Sequence, residues 1–263
     1  MKIHHYTSIE TLALILKHKT IRFNRLDRVD DMEESMYGSG PTKIKLGQYV
    51  FVSCWTKVDQ ENISLWKMYT NYNGIRITLD EDMFVSYKVN ETFKSYFPSP
   101  FHLIDECYAS SFINKIKCHE IIYEDNIETK IKDLVKLTGD TSAIISTDGI
   151  GLYKSKDWEF QHECRFKITL LPFKLGYNNK PVPSSRFEIL ERLIESIVPS
   201  IFSNISIEKK YIDIPLDVIK LGEIIVMLGP KTTESERIIV ESLLKDLPNA
   251  KIVDSYFKDK IRK

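Results

Sequence analysis

The chain has 263 residues, with 37 Lys and Arg against 37 Asp and Glu, and 43% of its residues are hydrophobic. This size and apolar content suffice for one domain with a full core, and the balanced charge provides no overall attraction to nucleic acid or to an anionic membrane. The apolar runs, such as residues 224–228, are far shorter than the roughly 20 residues of a membrane-spanning helix. The first residues lack the apolar segment of a signal peptide. We therefore expect a cytoplasmic protein with no membrane partner, and a nucleic acid partner would require a local basic patch.

Short strands and helices alternate in the first third of the chain. Thr7-Ser8-Ile9-Glu10 has the sequence of a capping box and precedes apolar residues at helical spacing. Asn73-Gly74 is a turn signal before a segment that alternates apolar and polar residues. The predicted elements are a strand at 3–6, a helix with Ile9, Leu12, Ile15 and Leu16 on its apolar face, a strand at 20–24, a charged loop at 25–34, a strand at 49–55, a helix from about Ser64 with Leu65, Met68, Tyr69 and Tyr72 on one face, and a strand at 75–79.

The remainder of the chain is less regular. Residues 81–150 show no sustained period apart from a helix predicted near 126–137, and we interpret them as a less regular insertion. Residues 173–186 carry several Pro and Gly and predict an exposed connection. No repeat or composition break divides the chain, so we predict a single α+β domain over residues 1–263. The later predicted elements are a strand at 156–166, a strand at 223–228, a helix capped by Thr233-Glu234-Ser235-Glu236 and a strand at 251–253.

Residues 156–166 have the clearest pattern in the sequence. If the whole segment is one strand, its aromatic residues point to one face and its charged residues to the other. The i, i+2 spacing then places the backbones of Glu163 and Arg165 about 6.5 to 7 Å apart, where an arginine can hold a carboxylate ionised and oriented. A catalytic acid is often built in this way, and so are inert ion pairs. The pattern therefore leaves open a catalytic acid, with Glu159 as a rival to Glu163, and a structural ion pair.

The sequence contains no complete metal-binding or phosphate-loop motif. The segment 229–232 lies between a predicted strand and helix but lacks the spacing of a phosphate loop. His4 and His5 are neighbours on a predicted strand and face opposite ways, with no further ligand at a metal-binding spacing. The acidic loop lacks the pattern of a calcium-binding loop, and Asp30 and Asp31 can instead cap backbone donors. The cysteines form no C-x-x-C pair, so we expect them to be reduced and predict no metal site.

Three segments combine aromatic residues with hydrogen-bonding groups: His5-Tyr6-Thr7-Ser8, Ser53-Cys54-Trp55-Thr56 and residues 159–165. Aromatic faces stack on flat rings, while hydroxyl and imidazole groups orient them. This combination suits a flat, polar heterocyclic ligand if the three segments meet in the fold. Each tryptophan fits a core position equally well.

Nine short segments along nearly the whole chain carry a family resemblance: His5-Tyr6-Thr7-Ser8, Ile21-Arg22-Phe23-Asn24, Asp30-Asp31-Met32-Glu33, Val52-Ser53-Cys54-Trp55, Leu65-Trp66-Lys67-Met68-Tyr69, Gly74-Ile75-Arg76-Ile77, Trp158-Glu159-Phe160, Glu163-Cys164-Arg165-Phe166 and Ile225-Val226-Met227-Leu228-Gly229. In these segments the chain resembles the bacterial domain of unknown function 2971 family, whose name assigns no activity. Members usually carry Asn-Asp-Pro before an acidic residue where this chain has Asp30-Asp31-Met32.

A more distant resemblance, to ADP-ribosyltransferases, implies a fold and a mechanism. Those enzymes place a His or Arg on a first strand, an aromatic or serine motif on a second and a catalytic acid late in the domain, and this chain is similar in that order. The resemblance implies a split mixed or antiparallel sheet flanked by helices, with NAD as substrate. Glu163 would stabilise the oxocarbenium-like transition state formed when nicotinamide leaves. The resemblance implies that His5 binds the adenosine ribose of NAD, and that Tyr6 or Trp55 lines the nicotinamide pocket with Ser53 beside it. Arg22, Arg76 or Arg165 would bind the phosphates, and Arg165 could instead orient Glu163. Thr7 and Trp66 would complete the NAD-binding site.

The sequence leaves two further functions open. The same pocket would serve a non-catalytic nucleotide-binding or regulatory module of a phage-defence or toxin-like system. A metal-dependent nuclease would instead use Glu159, Glu163 and the acidic loop to hold magnesium, and the neutral net charge argues mildly against it. In the leading interpretation, an enzyme of toxin or phage-defence type transfers ADP-ribose to an unidentified macromolecule or hydrolyses NAD. Its Glu163→Gln variant is expected to lose turnover with little change in thermal midpoint.

Overall fold

The computed structural model of the chain describes residues 1–35, 44–85, 102–104, 107–109, 116–139, 142–145, 147–171, 185, 187–188, 191, 195 and 198–262. No helix in these segments is long and apolar enough to cross a membrane. The α-helices are α1 Ile9–His18, α2 Ile63–Thr70, α3 Ile127–Leu134, α4 Val198–Phe202, α5 Val218–Gly222 and α6 Glu234–Leu244. Short 3-10 helices lie at Leu26–Arg28, Met32–Ser35, Leu46–Tyr49, Thr147–Gly149 and Lys156–Gln161. The strands are β1 Lys2–Thr7, β2 Thr20–Arg25, β3 Val50–Thr56, β4 Ile75–Asp80, β5 His102–Ile104, β6 Cys107–Ala109, β7 Cys118–Glu120, β8 Ile122–Glu124, β9 Val135–Gly139, β10 Ser142–Ile145, β11 Tyr153–Ser155, β12 Glu163–Leu171, β13 Tyr211–Pro215, β14 Ile225–Leu228 and β15 Lys251–Asp254.

Eleven of the described strands form one mixed, open sheet, so the predicted α+β class is confirmed. The central order is β15-β14-β4-β1-β3-β12-β6-β5, with β2 beside β3, β13 beside β2 and β7 beside β12. β14 and β15 pair in parallel, and the other neighbouring strands of this sheet pair antiparallel. The described part of residues 81–150 supplies β5, β6 and β7 to the main sheet, while β9 and β10 form a separate two-stranded sheet and β8 pairs with β11.

One edge of β3 has two different neighbours, which leave an opening between them. β1 meets β3 through a single residue pair, His4 with Thr56, and β2 meets it only at Val52 and Phe51. On its other edge β3 pairs with β12 over seven consecutive positions. β1 and β2 thus diverge from β3, and residues 53–55 border the opening. We call this opening the sheet fork.

Helix α1 joins the two strands that diverge at the sheet fork. Leu12 and Ile15 are buried, as the sequence predicts, because they recur on one helical face. The predicted capping box at Thr7 is wrong: Ser8 is the N-cap, and its Oγ accepts a hydrogen bond from Thr11 N at 3.2 Å. Thr7 is instead the last residue of β1 and pairs with Ile75 of β4, and α1 begins two residues later at Ile9. The capping box predicted at the start of α6, by contrast, is confirmed.

The strand predicted at 156–166 is wrong in its first half. Lys156–Gln161 forms a 3-10 helix whose first turn is capped by Ser155, and β12 begins only at Glu163. Between them His162 adopts a left-handed conformation with φ of 44°. The side chain of Ser155 caps the 3-10 helix and so favours it over strand pairing. The alternation of residue types therefore covers residues 156–166, although the strand covers only the last part of that segment.

Helix α2 buries a different face from the predicted one. Leu65 and Trp66 are buried, whereas Met68 and Tyr69 are 43% and 42% exposed. Trp66 is turned inward because its ring packs edge-on against Tyr6 and its Nε1 donates a hydrogen bond to Glu61 Oε2 at 2.8 Å. The exposed connection predicted at 173–186 lies outside the described residues, except for residue 185.

Candidate functional site

A cavity of about 560 Å³ opens at the sheet fork. It is lined by β1, by the edge of β3 that faces the fork, by α1 and by the first residues of β12. Small-molecule sites typically enclose roughly 300–1,000 Å³, so this volume fits a ligand of nucleotide size or a large part of one. The fork explains the position of the cavity, because a continuous sheet would leave no space beside residues 53–55.

His5 bridges the sheet fork with its side chain. Its Nδ1 lies 2.8 Å from the carbonyl oxygen of Cys54, which accepts hydrogen bonds but cannot donate them. His5 must therefore carry its proton on Nδ1, which leaves Nε2 as an acceptor. Burial lowers the pKa of His5, and the hydrogen bond to Cys54 opposes this only in part, so the ring is neutral at physiological pH.

Trp55 and Ser53 form the part of the wall next to His5. The ring of Trp55 lies 5.1 Å from that of His5, and its Nε1 donates to Ser53 Oγ at 2.9 Å. Trp55 is only 3% exposed, and it also packs edge-on against Phe166 in the core. Because Ser53 Oγ accepts from Trp55, its own hydroxyl proton is free to turn elsewhere.

Glu163 belongs to a buried group of four charged side chains, Glu34, Lys154, Glu163 and Arg165, which we call the ion cluster. Arg165 Nε donates to Glu163 Oε1 at 2.5 Å, and the other end of its guanidinium donates to both oxygens of Glu34. Lys154 Nζ donates to Glu163 Oε2 at 3.0 Å and lies 3.5 Å from Glu34 Oε1. Two acids and two bases therefore balance in charge. All four side chains are buried, so the predicted Glu163–Arg165 pair is present but is not a surface pair.

The ion cluster fixes the charge of Glu163. Burial alone would raise the pKa of Glu163, but the charges of Arg165 and Lys154 and hydrogen bonds from Arg165 and Cys54 lower it to about 2. Glu163 therefore cannot donate a proton as a general acid near neutral pH, but it can act as a fixed negative charge or as an acceptor. Burial, followed by the charge of Glu163, raises the pKa of the Cys54 thiol, which argues against Cys54 as a nucleophile.

Two arginines lie at the outer part of the cavity. Arg22 forms a two-pronged ion pair with Asp213 at 2.9 and 3.0 Å and stacks over the ring of Tyr211 at 3.6 Å. Arg28 is exposed at the end of its 3-10 helix, and no acid in the described segments pairs with it. Arg28 is therefore the cation at the cavity best placed to meet an anionic group of a ligand.

The structure brings most of the predicted site residues together. Three lie elsewhere. Glu159 is exposed on the 3-10 helix and does not line the cavity. Trp66 is buried under α2, and Arg76 is buried on β4, where its Nη1 donates to the carbonyl oxygen of Asp59 at 2.7 Å. The predicted residues that line the cavity are His5, Tyr6, Thr7, Arg22, Ser53, Trp55, Glu163 and Arg165, the last of them without exposed surface.

Four residues of the cavity or the ion cluster have no role assigned from the sequence in the proposed NAD site: Glu34, Tyr69, Lys154 and Gln161. Glu34 belongs to the acidic loop that the nuclease hypothesis assigns to magnesium, and it is instead fully buried against Arg165. Tyr69, Lys154 and Gln161 line the cavity and form one chain of hydrogen bonds. The one signal in the sequence was the run of acidic residues around Glu34, which indicates that some of these carboxylates pair with cations. The sequence offered no signal for Lys154, because its partner Gln161 lies across a 3-10 helix that was predicted as a strand.

The carboxylates proposed for a magnesium site have other partners. Asp27 pairs with Arg25, Glu34 pairs with Arg165, and Asp31 Oδ1 accepts from the backbone N of Glu33 at 3.0 Å. Within the described segments no group of three or more His, Cys, Asp or Glu is arranged to hold a metal ion. The geometry therefore gives the nuclease hypothesis no support.

Comparison of the chain with protein-family models, with curated proteins and with solved structures gave no match.

Proposed function

We propose that this chain is an NAD-consuming enzyme of the ADP-ribosyltransferase type, related to the domain of unknown function 2971 family, which transfers ADP-ribose to a macromolecule or hydrolyses NAD. The observation that supports the proposal most is the sheet fork. Three strands, β1, β3 and β12, meet there and direct His5, Ser53 with Trp55, and Glu163 to one cavity. This is the order of residues that the sequence suggested, and the cavity has the volume for a dinucleotide fragment.

The proposed mechanism uses Glu163 as a fixed anion. When the bond between nicotinamide and ribose breaks, positive charge develops on the sugar ring. A carboxylate that is already ionised and oriented stabilises this charge without reorganisation during the reaction. Arg165 and Lys154 hold the carboxylate in place, and neutral His5 offers Nε2 to a ribose hydroxyl. An anionic phosphate of the ligand would then meet Arg28 at the mouth.

The charge balance of the ion cluster favours a second candidate function. Both oxygens of Glu163 already accept hydrogen bonds from cations. Two positive neighbours reduce the field that Glu163 exerts on a developing cation. A non-catalytic nucleotide-binding module with the same cavity is consistent with this arrangement, and it differs from the enzyme in binding NAD without releasing nicotinamide.

Release of nicotinamide from NAD tests the proposal. Wild type should release nicotinamide, and Glu163→Gln should reduce the rate at least about a hundredfold, as expected for loss of a group that stabilises the transition state. Because Glu163 is buried in the ion cluster, we expect Glu163→Gln to lower the thermal midpoint as well, in contrast to the expectation from sequence.

The control variant is Glu34→Gln. Glu34 is buried in the same ion cluster and pairs with the same Arg165, but it does not line the cavity. It should therefore lose stability like Glu163→Gln while keeping most of the activity, when both are assayed below their midpoints. Equal loss of activity in the two variants would assign Glu163 a structural role. NAD binding without release by wild type would support the binding module instead.

A further inference from the structure

Tyr69 lines the cavity but has no role in the proposed mechanism, and a chain of hydrogen bonds fixes the orientation of its hydroxyl group. Lys154 Nζ lies 2.8 Å from Gln161 Oε1, and Gln161 Nε2 lies 3.0 Å from Tyr69 Oη. Lys154 and Gln161 are both 4% exposed, so the bond between them is shielded from water, whereas Tyr69, which lines the cavity, is 42% exposed. All three side chains line the cavity.

The direction of each bond follows from which atoms can donate. A lysine ammonium only donates, so the Gln161 atom that faces Lys154 must be the carbonyl oxygen. The amide nitrogen of Gln161 must then face Tyr69, and since this nitrogen only donates, Tyr69 Oη must accept. The hydroxyl proton of Tyr69 consequently points away from Gln161. No acceptor for that proton occurs among the side chains that the structure describes.

The environment of Tyr69 strengthens it as a donor and keeps it protonated. Burial, together with the negative charge of Glu163 and neighbouring groups, raises the pKa of Tyr69. The chain begins at the cation of Lys154, and each bond polarises the next, so the hydroxyl at its end is a stronger donor than an isolated phenol. The same Lys154 also binds Glu163 Oε2, which places the start of this chain at the carboxylate.

We propose that Tyr69 donates a hydrogen bond to the carboxamide oxygen of nicotinamide and thereby selects NAD over dinucleotides that lack this acceptor. This inference rests on the proposed function, which puts the bond between nicotinamide and ribose beside Glu163. The pyridine ring is then the part of the ligand next to that bond, and its carboxamide carries the one acceptor oxygen outside the sugar and phosphates. Tyr69 acts here as a specificity-determining residue, since it takes no part in proton transfer.

The test compares two ligands and three proteins by calorimetric titration. The ligands are NAD and its analogue with unsubstituted pyridine in place of nicotinamide, which lacks only the carboxamide. Wild type should bind NAD about tenfold more tightly than the analogue, the value of one buried hydrogen bond. Tyr69→Phe should bind both ligands equally, at the level of wild type with the analogue.

The matched control is Tyr72→Phe. Tyr72 is close in sequence, carries the same hydroxyl and does not line the cavity, so this variant should keep the wild-type preference. A preference for NAD that survives in Tyr69→Phe would overturn the assignment of Tyr69 and leave the proposed function intact. Equal weakening of both ligands would place the acceptor on the sugar or phosphates and also overturn it. Failure of wild type to bind NAD would overturn the proposed function and this inference together.

Discussion

Glu163 accepts hydrogen bonds from Arg165 on one oxygen and from Lys154 on the other, in a group that also buries Glu34. Buried ion pairs of this kind add little net stability compared with apolar side chains, but removing one member leaves an uncompensated charge in a medium that solvates it poorly. The main effect of the ion cluster is therefore to fix the geometry of the cavity wall, and its net contribution to the free energy of unfolding is small.

Lys154→Met tests this view at the level of a single residue. It removes one of two positive charges and leaves Glu163 and Glu34 to share Arg165, so we expect the free energy of unfolding to fall by about 3–5 kcal/mol in urea denaturation. Lys156→Met is the control, because Lys156 pairs with Asp125 on the surface and should leave the value nearly unchanged. A midpoint for Lys154→Met like that of wild type would show that the cluster is solvated.

His4 gives the protein a pH dependence of a defined sign. Its Nδ1 lies 2.8 Å from Thr78 Oγ1, and burial, followed by the charge of Arg76, lowers its pKa from 6.5 to about 4 despite an opposing effect of Asp59. Below pH 6.5 the unfolded chain takes up a proton at His4 that the folded chain does not, so stability falls as the pH falls toward 4.

His4→Gln removes this contribution, which is worth at most about 3 kcal/mol. Urea unfolding near neutral pH and near pH 4 should therefore show a smaller loss of stability for the variant than for wild type. His5, whose pKa is also lowered by burial, still contributes in both proteins. Identical losses would mean that His4 is accessible to protons in the folded state.

At the scale of elements, local sequence patterns predicted the strands and helices whose formation depends on interactions between residues close in the sequence. β1, β2, β3 and α1 were found because strand alternation, helical spacing and caps are encoded within a few residues. The sheet fork was not predictable, because the choice of β1 and β2 as partners of β3 is made between distant segments. The same reason hid Glu34, which lies 131 positions from its partner Arg165. The 3-10 helix at Lys156–Gln161 was missed because its alternating residue types imitate a strand.

The packing of β4 against β1 depends on Gly74. A Cβ added at Gly74 would lie 2.4 Å from the carbonyl oxygen of Thr7, in the backbone of β1, which cannot move aside. Gly74→Ala should therefore lower the free energy of unfolding by about 1–3 kcal/mol. The control is Gly222→Ala at the end of α5, where an added Cβ meets nothing within 4 Å.

Gly222→Ala should raise the same quantity by about 0.4–1 kcal/mol, because alanine restricts the unfolded chain more than glycine does. Both variants are measured by urea denaturation. If Gly74→Ala proved as stable as wild type, the close approach of β1 to β4 beside the cavity would be wrong.

At the scale of the whole molecule, the mixed sheet extends to both sides of β3, and the sheet fork is the place where its continuity is interrupted. α1 spans the interruption, and the ion cluster supports the far wall from β12. The molecule thus holds polar groups of distant segments around one cavity, beside a core of apolar side chains. The α+β class followed from the sequence, because strand alternation and helical spacing are local patterns. The convergence of most predicted site residues on one cavity, and the exclusion of Glu159, Trp66 and Arg76 from it, required the three-dimensional structure.

Calorimetric titration of NAD into the wild-type protein tests the central claim most directly. The account predicts saturable heat with one NAD per chain, since the one cavity at the sheet fork has room for a nucleotide or a large part of a dinucleotide. His5→Ala should weaken this binding, because it removes the acceptor at Nε2 and the bridge to Cys54. Absence of heat with a folded wild-type protein would contradict NAD as the ligand of this cavity.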